Sequence, residues 1–368
     1  MGIKVPRDST CYWKYLQTTT ALYCNLNLDF PPLVLYTRCL FSAMGFLYSQ
    51  FLRTPAFPTY AKGSFKGKTV IVTGSNVGLG KEAARHYARM GAGKLILAVR
   101  SVDKGQLAKE DIVRTTGHQN MHVWKLDMGD YGSVKSFAER ADAELDRIDI
   151  FIANAGVVRS EYHKLNGHEE GIAVNVIATM LLMANMMPKM RDTAARFHTR
   201  PTFTVTGSGA YEHTTFPQRS APDGAILTTL SDRETYVKYK SQQYPVSKLI
   251  QLLIVRDIAE NDPAGKSPVT INILNPGLCH SELAREAGGW GFWLFKLLVA
   301  RSTEVGSRTL VHAGAAGVET HGKYLDDCEI AEPSALVTGD AGREAQRRVT
   351  AEVLREIERI QPGVSKNL

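Results

Sequence analysis

The chain has 368 residues, 44% of them hydrophobic and 22% charged, and a formal net charge of +7. This is a globular composition at a length that suits one enlarged α/β domain, since two full domains would be cramped. The positive excess suits an anionic small ligand, while the lack of a basic run or aromatic-interleaved patch argues against nucleic acid as a partner.

The first 65 residues read as an N-terminal extension. Lys4, Arg7, Asp8 and Lys14 leave no clean apolar core behind a basic start, so this is not the pattern of a signal peptide. The run from Phe30 to Leu52 is apolar but broken by Pro31, Pro32 and Arg38. A membrane span there would carry Arg38 at a cost of about 2.5–3.5 kcal/mol. Peripheral membrane contact through residues 30–52 is the milder expectation. A further expectation is that Met44 is the natural start and that residues 1–43 extend it.

Lys68–Thr73 reads as a buried strand, being short, apolar and β-branched. The turn Gly74-Ser75-Asn76-Val77-Gly78-Leu79-Gly80 follows, and Lys81–Met90 reads as a helix. Strand, glycine turn and helix form the setting of a dinucleotide site, where the main chain approaches a pyrophosphate and the helix amino terminus faces its charge. The spacing is Gly-x3-Gly-x-Gly, and an ordinary surface turn is the competing reading. Lys94–Val99 is a second apolar strand ending at Arg100. An acidic residue there would accept from a ribose hydroxyl; an arginine, with Lys104 nearby, pairs instead with a 2′-phosphate, which favours NADP(H). His122–Leu126 and Ile148–Ala153 read as strands leading into Asp127 and into Asn154-Ala155-Gly156. Thr202–Thr206 reads as another, ending near Ser208.

Tyr244–Ile258 reads as a helix, which places Tyr244 and Lys248 on one face. A free phenol has a pKa near ~10. A neighbouring ammonium is expected to lower it, making Tyr244 a usable general acid or base, with Ser208 donating to the substrate oxygen. The stretch Gly209–Gln243 separates Ser208 from Tyr244 and reads as a substrate-shaping loop. Further on, Gly289–Val299 is strongly aromatic, as in a lid over a lipophilic compound or an ordinary core or subunit interface. Helices are expected at Ser302–Ala315 and Arg343–Ile360, the latter in a helical tail over 331–368. Five cysteines, at 11, 24, 39, 279 and 328, have no paired spacing. That argues against a disulfide framework or zinc site and for a reducing, cytoplasmic compartment.

Thr73-Gly74-x3-Gly78-x-Gly80, Asp127, Asn154-Ala155-Gly156, Asn175, Ser208, Tyr244, Lys248 and Pro276-Gly277 together resemble the short-chain dehydrogenase/reductase family, over roughly residues 66–320 of a domain expected to span 66–330. The text is closest to fungal members from secondary-metabolite pathways, through Thr69–Gly80, Leu97-Ala98-Val99-Arg100 and Gly322–Cys328. The resemblance implies a single Rossmann-type domain, a doubly wound parallel sheet flanked by helices. It implies that Asn175 holds a water joining Lys248 to solvent, that Lys248 binds the nicotinamide ribose, and that Asn275–Ser281 closes over the nicotinamide. Relatives often form homo-oligomers. The expected activity is ketone–alcohol interconversion on a lipophilic small molecule. The rivals are carbon–carbon double-bond reduction on the same scaffold and a non-catalytic NADP(H) sensor.

Overall fold

The computed structural model describes residues 49–50, 53–58, 63–263, 265–280 and 297–368. The expectations for residues 1–43, for Met44, for most of 30–52 and for most of the aromatic segment fall outside these residues. Residues 49–368 form one compact unit.

Apolar, β-branched runs build the sheet in chain order. They are β1 (Thr69–Thr73), β2 (Lys94–Val99), β3 (Met121–Lys125) and β4 (Ile150–Ala153). A small hairpin follows, β5 (Lys164–Leu165) with β6 (His168–Glu169). The sheet resumes with β7 (Thr202–Thr206), β8 (Thr270–Asn275), β9 (Tyr324–Asp326) and β10 (Glu329–Ala331). The eight strands of the main sheet lie in the order β10-β9-β8-β7-β4-β1-β2-β3. Every pair is parallel except β9 with β10. The interior strands β1 and β4 are buried along their full length, as a sheet covered on both faces requires.

Alternation along the strands assigns the two faces. Val70, Val72, Leu95 and Leu97 share one apolar cluster with α1 (Gly78–Arg89) and α8 (Thr303–Ala315). Ile71, Ile96, Phe151 and Phe203 share the other with α3 (Tyr131–Glu144), α4 (Thr179–Phe197), α7 (Gln243–Asn261) and α10 (Asp340–Ile360). Helix α2 (Val102–Thr116) joins β2 to β3, and the short α9 (Ala335–Thr338) precedes α10. A π-helical stretch, Ile172–Ala178, runs directly into α4. The combined helix is apolar and long enough to cross a membrane, but 83% of its most apolar window is buried, so that apolarity serves the core. The chain leaves β1 toward β3 and returns on the opposite side to β4. The reversal opens a crevice at the carboxyl ends of β1 and β4, where open α/β sheets hold their ligands.

The stretch between Ser208 and Tyr244 departs from the expected loop. It folds into short 3₁₀ turns, α5 (Ile226–Leu230) and α6 (Arg233–Lys238). Tyr211, Phe216, Ile226, Leu230 and Tyr236 anchor it with almost no exposed surface. These anchors are too widely spaced to show either periodicity in the sequence. Helix α10 then holds it down. Glu352, itself buried, accepts from the backbone N–H groups of Ile226 (3.0 Å) and Leu227 (2.9 Å) and so caps α5. Arg348 donates to the carbonyls of Arg219 (2.6 Å) and Ala221 (2.5 Å). The tail is therefore part of the core, with Val349, Val353 and Ile357 wholly buried.

Glu352→Ala leaves two buried N–H groups unpaired and is expected to lower unfolding stability by about 1–3 kcal/mol. Limited proteolysis should cut first within 217–238. Unchanged chemical denaturation and unchanged cleavage would show that α10 does not secure this segment.

Candidate active site

The glycine turn after β1 is built by close approach. Gly74 and Gly78 have φ of +64° and +60°, the left-handed region that side chains rarely adopt. A Cβ at Gly80 would lie 2.6 Å from Asn154 Nδ2 and 2.7 Å from the Gly74 carbonyl oxygen. The turn is thus packed on the end of β4 with no room for a methyl group. Asn154 Nδ2 donates to the Thr73 carbonyl at 2.9 Å, and the Thr73 hydroxyl accepts from the N–H groups of Asn154 and Ala155, both at 2.9 Å. Ser75 Oγ donates to the Val72 carbonyl at 2.8 Å. Asn154 and Ser75 brace the cradle, while Asn76 and Leu79 lie on its partly exposed rim. A cradle that a single Cβ would fill is what the pyrophosphate of a dinucleotide needs, so these residues fit that group.

Arg100 is exposed at the end of β2, and Lys104 is exposed in the first turn of α2. The sequence reading missed Lys125, whose Nζ donates to the Arg100 carbonyl at 2.6 Å. Parallel pairing of β2 with β3 carries it there. Asp127, two residues beyond β3, accepts from Gly129 N–H at 3.0 Å, and its own N–H donates to the Ser133 hydroxyl oxygen at 3.0 Å.

Ser208 follows β7, and its hydroxyl accepts from Ala210 N–H at 3.1 Å. Asn275 at the end of β8 ties the neighbouring turns together: its Oδ1 accepts from Gly209 N–H (2.9 Å) and Gly277 N–H (3.1 Å). Pro276 and Gly277 begin the next turn, with Gly277 at φ +74°. Gln50 fixes that turn from the other side, accepting from Leu278 N–H at 3.1 Å and donating to the Leu278 carbonyl at 3.0 Å. Ser281 lies outside the described residues.

Tyr244 and Lys248 occupy the first two turns of α7, which is the arrangement their spacing predicts. Lys248 Nζ lies 5.7 Å from the Tyr244 ring centroid. It donates to the Thr206 carbonyl at 2.8 Å and to Gln251 Oε1 at 3.0 Å. Asn175 sits within the π-helical stretch and is fully buried. Its side chain grips the strand end beyond β4, accepting from Val157 N–H at 2.8 Å and donating to the Val157 carbonyl at 3.0 Å. It also donates to Ser247 Oγ at 3.1 Å. A π-bulge at such a position is a common mark of a functional site.

The electrostatics reverse one expectation. Burial pushes the Tyr244 phenol up to about 12, with a hydrogen bond to Ser208 working weakly against it. Burial pulls Lys248 down to about 7. Desolvation disfavours the charged form of each group and outweighs their mutual attraction. Lys248 therefore does not lower the phenol here. Burial thus favours the neutral phenol and works against the charge on the amine, and the protonated phenol is the form that can give a proton.

The carboxyl edge of the sheet thus gathers a glycine cradle, a cationic strand end, and a serine, tyrosine and lysine. The comparisons agree with that geometry. The family model for short chain dehydrogenase matches residues 68–196. The short chain dehydrogenase/reductase dmxR8 of Cryptosporiopsis sp. (strain 8999) is 56% identical over 326 residues, covering 88% of this chain and all (100%) of that protein. The short-chain dehydrogenase anuD of Penicillium roqueforti (strain FM164) is 35% identical over 376 residues, covering 98% and 96% of the two chains. Among solved structures, a short chain dehydrogenase from Burkholderia cenocepacia J2315 in complex with NADP superposes with a TM-score of 0.52 at 19% identity, over 71% of this chain and 96% of that one. With so close a relative matched along nearly its whole length and the same fold beneath it, this chain belongs to the short-chain dehydrogenase/reductase family of oxidoreductases.

Proposed function

We propose that this protein is an NADP(H)-dependent oxidoreductase that interconverts a ketone and a secondary alcohol on a lipophilic small molecule of secondary metabolism, working chiefly as a reductase. The observation that carries this reading is the meeting of Ser208, Tyr244 and Lys248 beyond β7, with the phenol held protonated. The preference for a 2′-phosphate rests on Arg100, Lys104 and Lys125, with an arginine and not a carboxylate at the position that follows β2. Leu297 and Leu298, 53% and 68% exposed, support a lipophilic partner. The resemblance to fungal secondary-metabolite members through Thr69–Gly80, Leu97–Arg100 and Gly322–Cys328 supports the metabolic setting.

The bound nicotinamide would supply a hydride from its C4. The chain's own residues do the rest. Gly74, Gly78 and Gly80 would let the backbone approach the pyrophosphate, and the amino terminus of α1 would supply N–H groups to it. Ser208 Oγ donates to the carbonyl oxygen and stabilises its growing negative charge. Tyr244 Oη gives that oxygen its proton. Lys248, when charged, favours the phenolate left behind. Asn175 and Asn154 keep the strand ends in register around these groups.

Tyr244→Phe is expected to reduce NADPH-dependent ketone turnover by roughly 10³-fold or more while leaving NADPH binding, followed by fluorescence, nearly unchanged. Normal turnover by the variant would remove Tyr244 as the proton donor.

Because the acid form of a phenol near 12 persists through neutrality, loss of the Tyr244 proton should not limit ketone reduction between pH 6 and 9, and any decline there should be shallow and follow the Lys248 ammonium. Alcohol oxidation needs the base form and should climb across the same range. A reduction rate that collapses between pH 6 and 8 would contradict this assignment.

Arg100→Asp should raise KM for NADPH by roughly tenfold or more and improve NADH use, because it exchanges a phosphate partner for a ribose-hydroxyl acceptor. Steady-state kinetics with both coenzymes decide it, and an unaltered preference would place the phosphate elsewhere.

A further inference from the structure

Besides the Thr206 carbonyl, the group that accepts from the Lys248 amine is the side chain of Gln251. It lies one turn beyond Lys248 on α7 and is 2% exposed. Its Oε1 accepts from Lys248 Nζ at 3.0 Å, and its Nε2 donates to the Asn175 main-chain carbonyl at 2.5 Å. The amide orientation is forced, because only the oxygen end can accept from an amine and only the nitrogen end can donate to a carbonyl. Both ends of a wholly buried amide are thereby satisfied, which is the condition for keeping such a group in a core.

We propose that Gln251 is a positioning residue for Lys248, linking its amine through one side-chain amide to the main-chain carbonyl of Asn175. Lys248 Nζ is fixed between two carbonyl oxygens, that of Thr206 from β7 and that of Gln251 from its own helix. Asn175 is bound in the same stroke: its side chain holds Val157, and its carbonyl is held by Gln251. One amide therefore couples the general-acid helix to the π-helical stretch and, through it, to the end of β4. Each carbonyl oxygen favours the ammonium over the neutral amine, so Gln251 opposes the burial that lowers the Lys248 pKa. Among the described residues, the titratable group facing Lys248 is Tyr244. Strand β7 presents the Thr206 carbonyl, the turn beyond β4 presents Gly156, and the π-helical stretch presents Asn175.

The inference rests on the catalytic reading above, so its test includes a readout that does not depend on turnover. Gln251→Met keeps the length of the side chain and removes the acceptor and the donor. NMR titration of ε-¹³C-lysine, with Lys248→Met to assign the signal, gives the Lys248 midpoint in protein without coenzyme. The midpoint should fall by about half a pH unit or more in Gln251→Met. The pH at which alcohol oxidation rises should move upward, because the ammonium that favours the phenolate is lost earlier, and kcat should fall more than KM for NADPH rises. An unchanged midpoint and an unchanged pH profile would reduce Gln251 to a space-filling core residue and overturn the proposal. A shifted midpoint in a protein whose wild type reduces no ketone would uphold the positioning role and reject the catalytic reading. Should Gln251→Met fail to fold, Gln251→Glu serves. Its protonated acid reproduces both hydrogen bonds and its carboxylate reproduces only one. It should show an extra ionisation in the kcat profile, with activity highest on the acid side. A profile matching wild type would overturn the proposal.

Discussion

The structure turns on the burial of an amine against the carboxyl edge of a parallel sheet. Lys248 is 5% exposed, and its Nζ is held by the Thr206 carbonyl and by Gln251. A buried amine without acceptors would be costly, so the sheet edge, α7 and the π-helical stretch must all arrive in one arrangement. That requirement explains several features that look separate. The π-helical stretch shifts Asn175 to where its side chain grips Val157 and its carbonyl meets Gln251. Asn275 ties the turn after β7 to the turn after β8. The site is a consequence of how strand ends are cross-linked, more than of any one motif.

Much of the architecture was legible in the sequence because parallel strands covered on both faces are continuous apolar runs. Lys94–Val99 and Thr202–Thr206 match their strands residue for residue. The helix carrying Tyr244 and Lys248 was legible because a long apolar run follows them; it begins one residue earlier and runs to Asn261. The glycine turn was legible because positive φ at Gly74 and Gly78 and the crowding at Gly80 admit almost no other residue.

What stayed hidden depends on long-range partners. The helices between Ser208 and Tyr244 are too short to show periodicity, and the residue that caps α5 is Glu352, more than a hundred positions away. Lys125 joins the cationic end of β2 only through sheet pairing. Gln251 reads in sequence as one polar residue in an apolar helix, and its use appears only when the Asn175 carbonyl stands opposite. The direction of the Tyr244 shift was misjudged because a sequence shows the nearby ammonium but not the burial that outweighs it. Charge proximity and desolvation oppose each other here, and only the fold ranks them.

The central claim is that the site delivers a hydride to a carbonyl carbon while Tyr244 protonates the oxygen. It is tested most directly by following deuterium from NADPH labelled at nicotinamide C4 into the product of a lipophilic enone, which offers both a carbonyl and a conjugated double bond. The account predicts deuterium on the carbinol carbon of an allylic alcohol, with one hand of the label transferred. Deuterium on the carbon β to a surviving ketone would contradict it and would assign the same scaffold to double-bond reduction.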